Sequence, residues 1–261
     1  MSKRKPKNQR KNGKSNNSDA RVRLYGTHAV CAALQNPQRQ VIKLWATANG
    51  AKTISDLSTA PELAHVTPDQ LSPNELSRLV PPDAVHQGLV ADVSPLPDTS
   101  LETIMARGGP IIVLDQIVDP RNVGAILRAA AVFGAAGIIV TRHHSPPAEG
   151  ALAKTASGAL EIVPLVAVAN LARSLTTLAD AGFMVLGLDE RGTQTIDQID
   201  TNQPLVCVMG AEGKGLRRLT RETCTELVRL PTGEAGADTH NEFVTLNVAT
   251  AAAITLYALT R

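Results

Sequence analysis

Three polar, glycine-bearing stretches hold the side chains with chemistry to offer. The first is VDPRNVGAILRAAAVFG at 118–134, a loop running into a helix that is apolar on nearly every face and yet carries Arg128. Gly124 and Arg128 are four residues apart and so share a helix face. Helical side chains lean toward the N-terminus, so a guanidinium at 128 can reach back over Gly124, where no Cβ obstructs it. A helix that starts near Asn122 lets that side chain cap free backbone N–H groups. The Arg128 head group then arrives at the helix N-terminus, where the dipole favours anions. The alternative is a structural arginine paired with a buried carboxylate, Asp115 or Asp119.

The second stretch is VMGAEGKGL at 208–216 and the third is LPTGEAGADTHNEFVTLNVATAAA at 230–253. Neither is a standard nucleotide loop. Only Ala211 and Glu212 separate Gly210 from Gly213, which precedes Lys214, so Walker A spacing fails; G-x-G-x-x-G fails as well, and the stretch follows the fifth strand of its domain, not the first. What remains is a site of closely approaching backbone with few charged groups. Cys31, Cys207 and Cys224 form no pair motif and no metal spacing, which suits a reducing cytoplasm. No metal is expected. His28 and His86 belong to small-domain motifs, and His143, His144 and His240 are expected in surface loops.

The elements that must position these residues follow from hydrophobic patterning. Apolar runs PIIVLDQI, AGIIVTR, EIVPLVAV, FMVLGLDE and PLVCVMG alternate with helical stretches VGAILRAAAVFG, LARSLTTLADAG and LRRLTRETCTELV. A short strand LVRLP and a terminal helix from about Asn247 to Leu259 complete the series. Continuous apolar strands alternating with helices predict a parallel sheet covered on both faces, with ligands at the carboxyl ends of the strands. Before it, residues 21–93 form a smaller α/β unit with a helix at GTHAVCAALQ and strands at VIKLWAT and AVHQGLVADV. Residues 94–109, SPLPDTSLETIMARGG, read as a linker running into a short helix. The fold class is therefore α/β in two domains, 21–93 and 110–261.

Charge divides the chain differently. Residues 1–20 carry seven Lys/Arg against Asp19, a net of +6; the whole chain is at +2, so the other 241 residues sum to −4. Such a basic, aromatic-free segment predicts a disordered tail, either a solubilising extension or an arm that seeks phosphates. No apolar run approaches the roughly 20 residues of a membrane span, and the charged N-terminus predicts no secretory signal.

Asn122-x-Gly124-x-x-x-Arg128, then VMGAEGKGLRRLT (208–220), then a Pro-Gly loop ending in TLNVATAAAI resemble the three motifs of the SpoU (TrmH-like) family of RNA ribose 2′-O-methyltransferases. With YGTHAV and AVHQGLVA in the small domain, the resemblance runs from about Arg23 to Arg261 and is similar to the bacterial 23S rRNA guanosine-2′-O-methyltransferase branch. It implies a trefoil-knotted (SPOUT) parallel-sheet domain that binds S-adenosylmethionine, preceded by a small L30e-like domain that binds the RNA substrate, in a cytoplasmic homodimer. It assigns cofactor contacts to Gly210, Leu230 and Leu246, with turn or core packing as the structural alternative. It assigns catalysis to Arg128 together with Asn122, Glu212 and Asn247. A guanidinium holds its proton at working pH, so Arg128 suits a clamp on the target phosphate and the developing alkoxide better than a general base. Glu212 would orient Arg128 or the substrate, or else cap the following helix; Asn247 is expected to cap the last helix and line the site.

Departures from the family pattern are specific. Pro231 to Asn247 spans sixteen positions, where the family has about nine, so 233–243 is expected either to form a lid or to shift the cofactor contacts assigned by the resemblance. Thr245 and Ala249 stand where serine is common. With aromatics at 2%, an RNA surface cannot lean on base stacking and must use basic and polar contacts. The alternatives are a tRNA ribose 2′-O-methyltransferase and a non-catalytic RNA-binding module.

Overall fold

A computed structural model describes residues 20–57, 67–143, 145–231 and 246–261. The tail up to Asp19, the expected lid at 233–243, Thr245, His144 and His240 lie outside them. The described chain builds two sheets.

The smaller sheet holds β1 (Val22–Tyr25), β2 (Val41–Ala46), β3 (Asp69–Gln70) and β4 (Leu89–Val93), in the order β1-β4-β2-β3. β4 is antiparallel to β1 and β2, and β3 runs parallel to β2. Alternation divides its side chains between two faces. Leu24, Leu44, Ala46, Leu89 and Ala91 join the cluster that holds α1 (Thr27–Gln35) and Ile54 of α2 (Ala48–Leu57). Tyr25, Trp45 and Val90 pack with Leu76 of α3 (Pro73–Ser77). The strand expected over AVHQGLVADV starts only at Leu89. Gln87 and Gly88 take φ of 53° and 83°, and His86 fastens that turn, accepting the Gly88 N–H at 3.0 Å and bonding Ser77 Oγ at 3.0 Å.

After α4 (Leu101–Met105) comes the larger unit: β5 (Ile111–Asp115), α5 (Pro120–Val132), β6 (Gly137–Thr141), α6 (Gly150–Ala156), a 3-10 turn at Ala159–Glu161, β7 (Leu165–Val168), α7 (Leu171–Asp180), β8 (Met184–Leu188), β9 (Gln194–Thr195), a second 3-10 turn at Ile196–Gln198, β10 (Leu205–Gly210), α8 (Arg218–Thr223), β11 (Glu226–Arg229) and α9 (Val248–Leu259). The seven strands are parallel in the order β7-β6-β5-β10-β8-β11-β9. Each central strand buries both faces, as its unbroken apolar run requires. Ile112, Leu114, Cys207 and Met209 point toward the side covered by α5, α6 and α9. Ile111, Val113, Val206 and Val208 point to the side of α4 and α7. No described helix is long and apolar enough to cross a membrane.

Two expected elements are shorter than their patterns. The helix read over 216–228 keeps only Arg218–Thr223, because Thr225 hands its N–H to Val185 O at 2.7 Å and starts the chain into β11 beside β8. The strand read from Glu161 begins at Leu165, since Ala159–Glu161 closes a 3-10 turn. α6 went unread because GALAKTASGAL carries small residues and no bulky apolar period.

Gly124 has a role other than clearing a path for Arg128. It is buried in α5 against α6; a Cβ there would lie 2.7 Å from Thr155 Cβ and 2.8 Å from Ala156 N. The missing side chain lets two helices touch backbone to backbone. Gly124→Ala should destabilise the fold by about 1–3 kcal/mol, the usual cost of overpacking. Urea unfolding reads it directly, and an unchanged midpoint would mean that the α5–α6 contact yields freely.

Candidate functional site

The carboxyl ends of β5 and β10 lie side by side, Gly210 in register with Asp115. From β5 the chain passes Gln116, at φ 62°, and enters α5. Asp119, not Asn122, is the N-cap: its carboxylate accepts the Arg121 N–H at 2.8 Å and also holds the Arg121 guanidinium. The Asp-Pro pair sets this boundary, because proline is favoured at the first helical position. Asn122, freed from capping, sits in the first turn with its amide turned to other parts of the chain.

From β10 the chain makes a tight hairpin. Ala211 and Gly215 form an antiparallel bridge, with Gly213 and Gly215 at positive φ of 74° and 62°. A Cβ on Gly210 would fall 2.2 Å from the Gly215 carbonyl carbon, so only glycine lets the loop fold back this closely. Near the tip stands Glu212. Its Oε1 accepts from Asn122 Nδ2 at 3.2 Å, from Asn247 Nδ2 at 2.7 Å and from the Val248 N–H at 3.3 Å. Asn247 Nδ2 also donates to Asn122 Oδ1 at 3.1 Å. Meanwhile Asn247 Oδ1 accepts the Ala249 N–H at 2.9 Å, so Asn247 is the cap of α9 as its position suggested. Glu212 does not cap the helix that follows it, and no bond to Arg128 is seen; it ties the starts of α5 and α9 together.

The hairpin's base is held on both sides by arginine–carboxylate pairs. Asp115, fully buried at the end of β5, accepts Arg217 N–H at 3.0 Å and Arg217 Nε at 2.6 Å. Arg221 Nε donates to Asp189, just past β8, at 2.8 Å, and its Nη2 to Leu216 O at 3.1 Å. β5 and β8 are the two neighbours of β10, so the segment after the hairpin is stitched to both. The sequence contained a signal for the first pair. A carboxylate closing an all-apolar strand must find a cation or several donors, but no local pattern points to Arg217, 102 positions away, as that cation.

Arg128 does not join the cluster. It is exposed on α5, six residues and about 9 Å along the axis from Asn122, and makes no hydrogen bond or ion pair among the described residues. The two carboxylates that could have made it structural are occupied, Asp115 by Arg217 and Asp119 by Arg121. Of the positions expected at a cofactor, Gly210 shapes the hairpin, Leu230 is half-buried against the core, and Leu246 is 50% exposed rather than packed. Burial pushes the Cys207 and Cys224 thiols up to about 12, so neither offers a thiolate nucleophile. The described residues hold no group of three or more His, Cys, Asp or Glu fit to bind a metal ion.

The chain is similar to known proteins along most of its length. Residues 109–257 match the SpoU rRNA Methylase family, and residues 23–99 match the family described as RNA 2′-O ribose methyltransferase substrate binding. The chain is 39% identical over 248 residues to the 23S rRNA (guanosine-2′-O-)-methyltransferase RlmB of Pseudomonas putida, a match covering 92% of this chain and 96% of that protein. It is 38% identical to the protein of the same name from Pseudomonas aeruginosa, over 92% and 96% of the two chains. The crystal structure of the SpoU methyltransferase AviRb from Streptomyces viridochromogenes, in complex with the cofactor AdoMet, superposes with a TM-score of 0.75 at 23% identity, over 92% of this chain and 90% of that one. With its strand-end hairpin, its three linked motifs and matches that span both sheets, the chain belongs to the SpoU rRNA methylase family.

Proposed function

We propose that the protein methylates a ribose 2′-hydroxyl in RNA, a guanosine of 23S rRNA, using S-adenosylmethionine as the donor. The observation that carries this reading is the hydrogen-bonded cluster of Asn122, Glu212 and Asn247, which joins three segments far apart in sequence at one strand end. Relatives at 38–39% identity over almost the whole chain bear the corresponding name.

The groups around the hairpin fit the donor. The glycine-rich hairpin after Gly210 presents backbone with few bulky side chains, and Leu230 and Leu246 offer apolar surface for an adenosyl moiety. Bound there, S-adenosylmethionine supplies an electrophilic methyl on a sulfonium. The protein's own task is to bring a ribose hydroxyl into line, keep it there and deal with its proton. Asn122 and Asn247 line the site and orient the sugar; Glu212 keeps their amides turned to a fixed direction. Arg128, with no carboxylate partner among the described residues, grips the target phosphate through its planar fork and stabilises the charge that develops on the 2′-oxygen. The proton leaves to a phosphate oxygen or to water.

Around this site we assign residues 21–93 as an L30e-like RNA-binding domain, 94–109 as a linker and 110–261 as a trefoil-knotted methyltransferase domain. The knot draws support from the insertion of β10 between β5 and β8 and from the bonds of Asn247 back to Asn122. The enzyme works in the cytoplasm as a homodimer. Supporting the dimer, Arg128 shares its exposed face of α5 with Val132, which is 77% exposed, and α9 leaves Ile254 and Tyr257 bare at 38% and 47%. α5 packs on α9, and Phe133 meets Tyr257 edge-on with ring centroids 6.1 Å apart, so these residues border one apolar surface. A second copy covering it would remove water from around Arg128.

Arg128→Ala should lower turnover by roughly 10²-fold or more while S-adenosylmethionine affinity in calorimetry stays near wild type, and Arg128→Lys should restore little. A variant keeping most of its activity would remove Arg128 from the chemistry. Light scattering at micromolar concentration should give twice the chain mass; a monomer with full activity sinks the dimer. Deleting residues 1–20, with their net +6, should flatten the salt dependence of RNA affinity by several units of slope, at roughly 0.7–0.9 per phosphate contact, without changing the nucleotide chosen. An unchanged slope would make the tail a passive extension.

A further inference from the structure

The two sheets meet along α1, β1, α6 and the 3-10 turn that follows α6. One continuous hydrophobic cluster crosses that junction, and adhesion needs no more than this. Yet the junction also buries two charges. The Arg39 and Glu161 side chains are 1% and 5% exposed. Arg39 Nε donates to Glu161 Oε1 and Oε2 at 3.2 and 3.0 Å, and Nη2 donates to Oε1 at 2.8 Å. Its Nη1 donates to Ser94 O at 2.6 Å, where the chain leaves β4, and Asn36 Nδ2 donates to Glu161 Oε2 at 2.7 Å. The small-sheet side thus supplies every donor, and the methyltransferase side supplies one carboxylate.

A buried ion pair is weak evidence for stability, because desolvation offsets most of the attraction. What the pair adds is direction, since few relative placements of the two units keep the whole set of bonds. Two further contacts fix the same junction. Gly158, at φ +93°, brings its backbone so close to α1 that a Cβ would lie 2.9 Å from Ala32 Cβ. Lys154 lies over Gly26, ahead of α1, and donates to Gln87 in the turn before β4. All three contacts come from residues 154–161. The same segment presses on Gly124 through Thr155 and Ala156, and α5 carries Asn122 and Arg128. An unbroken series of close contacts therefore links the RNA-binding unit to the helix of the reaction.

We propose that Arg39 and Glu161 are a specificity-determining pair. They set the reach and angle between the small unit, which holds the RNA, and the site that accepts a ribose, so the methylated nucleotide is the one that falls at that fixed reach. The proposal rests on the RNA 2′-O-methyltransferase reading. Both residues are positioning residues, remote from the reacting atoms.

The test uses the full chain, the double variant Arg39→Met/Glu161→Leu, which keeps apolar cover without charge, and Glu161→Gln. Unmodified 23S rRNA transcript is methylated in vitro and its 2′-O-methyl positions are mapped nucleotide by nucleotide. The wild type should mark one ribose. The variants should fold, bind S-adenosylmethionine within about twofold of wild type, raise the RNA KM about tenfold with a smaller change in kcat, and spread methylation to neighbouring riboses. Spin labels at the exposed positions Asp56 and Asp180 give a readout independent of activity: the distance distribution between the units should broaden in the variants. An unchanged KM and methylation pattern, or an unchanged distribution, overturns the proposal. So does failure of both variants to fold, because the pair would then be a stability element. A wild type with a narrow distribution but no RNA methylation would instead overturn the methyltransferase reading.

Discussion

One carboxylate oxygen organises the carboxyl end of the larger sheet. Glu212 Oε1 receives three N–H donors, from the first turn of α5, from the cap of α9 and from the first residue of α9 itself. Both helices point their positive ends toward it, so the charge is favoured by two dipoles as well as by its hydrogen bonds. Everything nearby serves to bring this group to that spot. Gly210 allows the hairpin to double back, Gly213 and Gly215 take the left-handed turns, and the Arg217–Asp115 and Arg221–Asp189 pairs pin the next segment to the strands on either side.

Electrostatically the site is nearly closed on itself. Arg121, Arg217, Arg218 and Arg221 each have a carboxylate, on Asp119, Asp115, Glu222 and Asp189 respectively. Such pairs cancel one another's charge locally, while the hairpin also carries the exposed Lys214. Arg128 stands apart from them, on an exposed stripe and without an internal partner among the described residues. A polyanion meeting this face can bind that guanidinium without first breaking a bond to any other described residue.

Much of this was legible in the sequence, and the reasons are particular. Unbroken apolar runs such as IIVLD and LVCVMG could only be central strands, and the 3.6-residue period from Pro120 to Val132 could only be a helix. The cluster of Asn122, Glu212 and Asn247 was legible residue by residue through family resemblance, but their mutual hydrogen bonds were not, because no local pattern encodes contacts over 35 to 125 positions. Local rules also competed. Asp119 outcompeted Asn122 as cap because Pro120 follows it, and Gly124 proved a helix-packing residue because its partner α6 could not be read from small residues. The buried pair at Arg39 and Glu161 left no trace at all, since neither residue stands in a motif and their spacing of 122 positions has no period.

The strand order carries a consequence for the newborn chain. β10 lies between β5 and β8, yet it emerges from the ribosome about ninety residues after β5 is complete. At synthesis rates of roughly 5–20 residues per second, this amounts to several seconds or more. Throughout that interval β5 has one edge whose backbone groups lack the pairing that β10 later supplies, and β8 cannot join the same sheet until the missing strand arrives. Unpaired apolar edges of this kind attract other chains. The interval before Leu205 is made therefore leaves a central strand of this fold open to pairing with other chains, long before the protein's first encounter with a ribose.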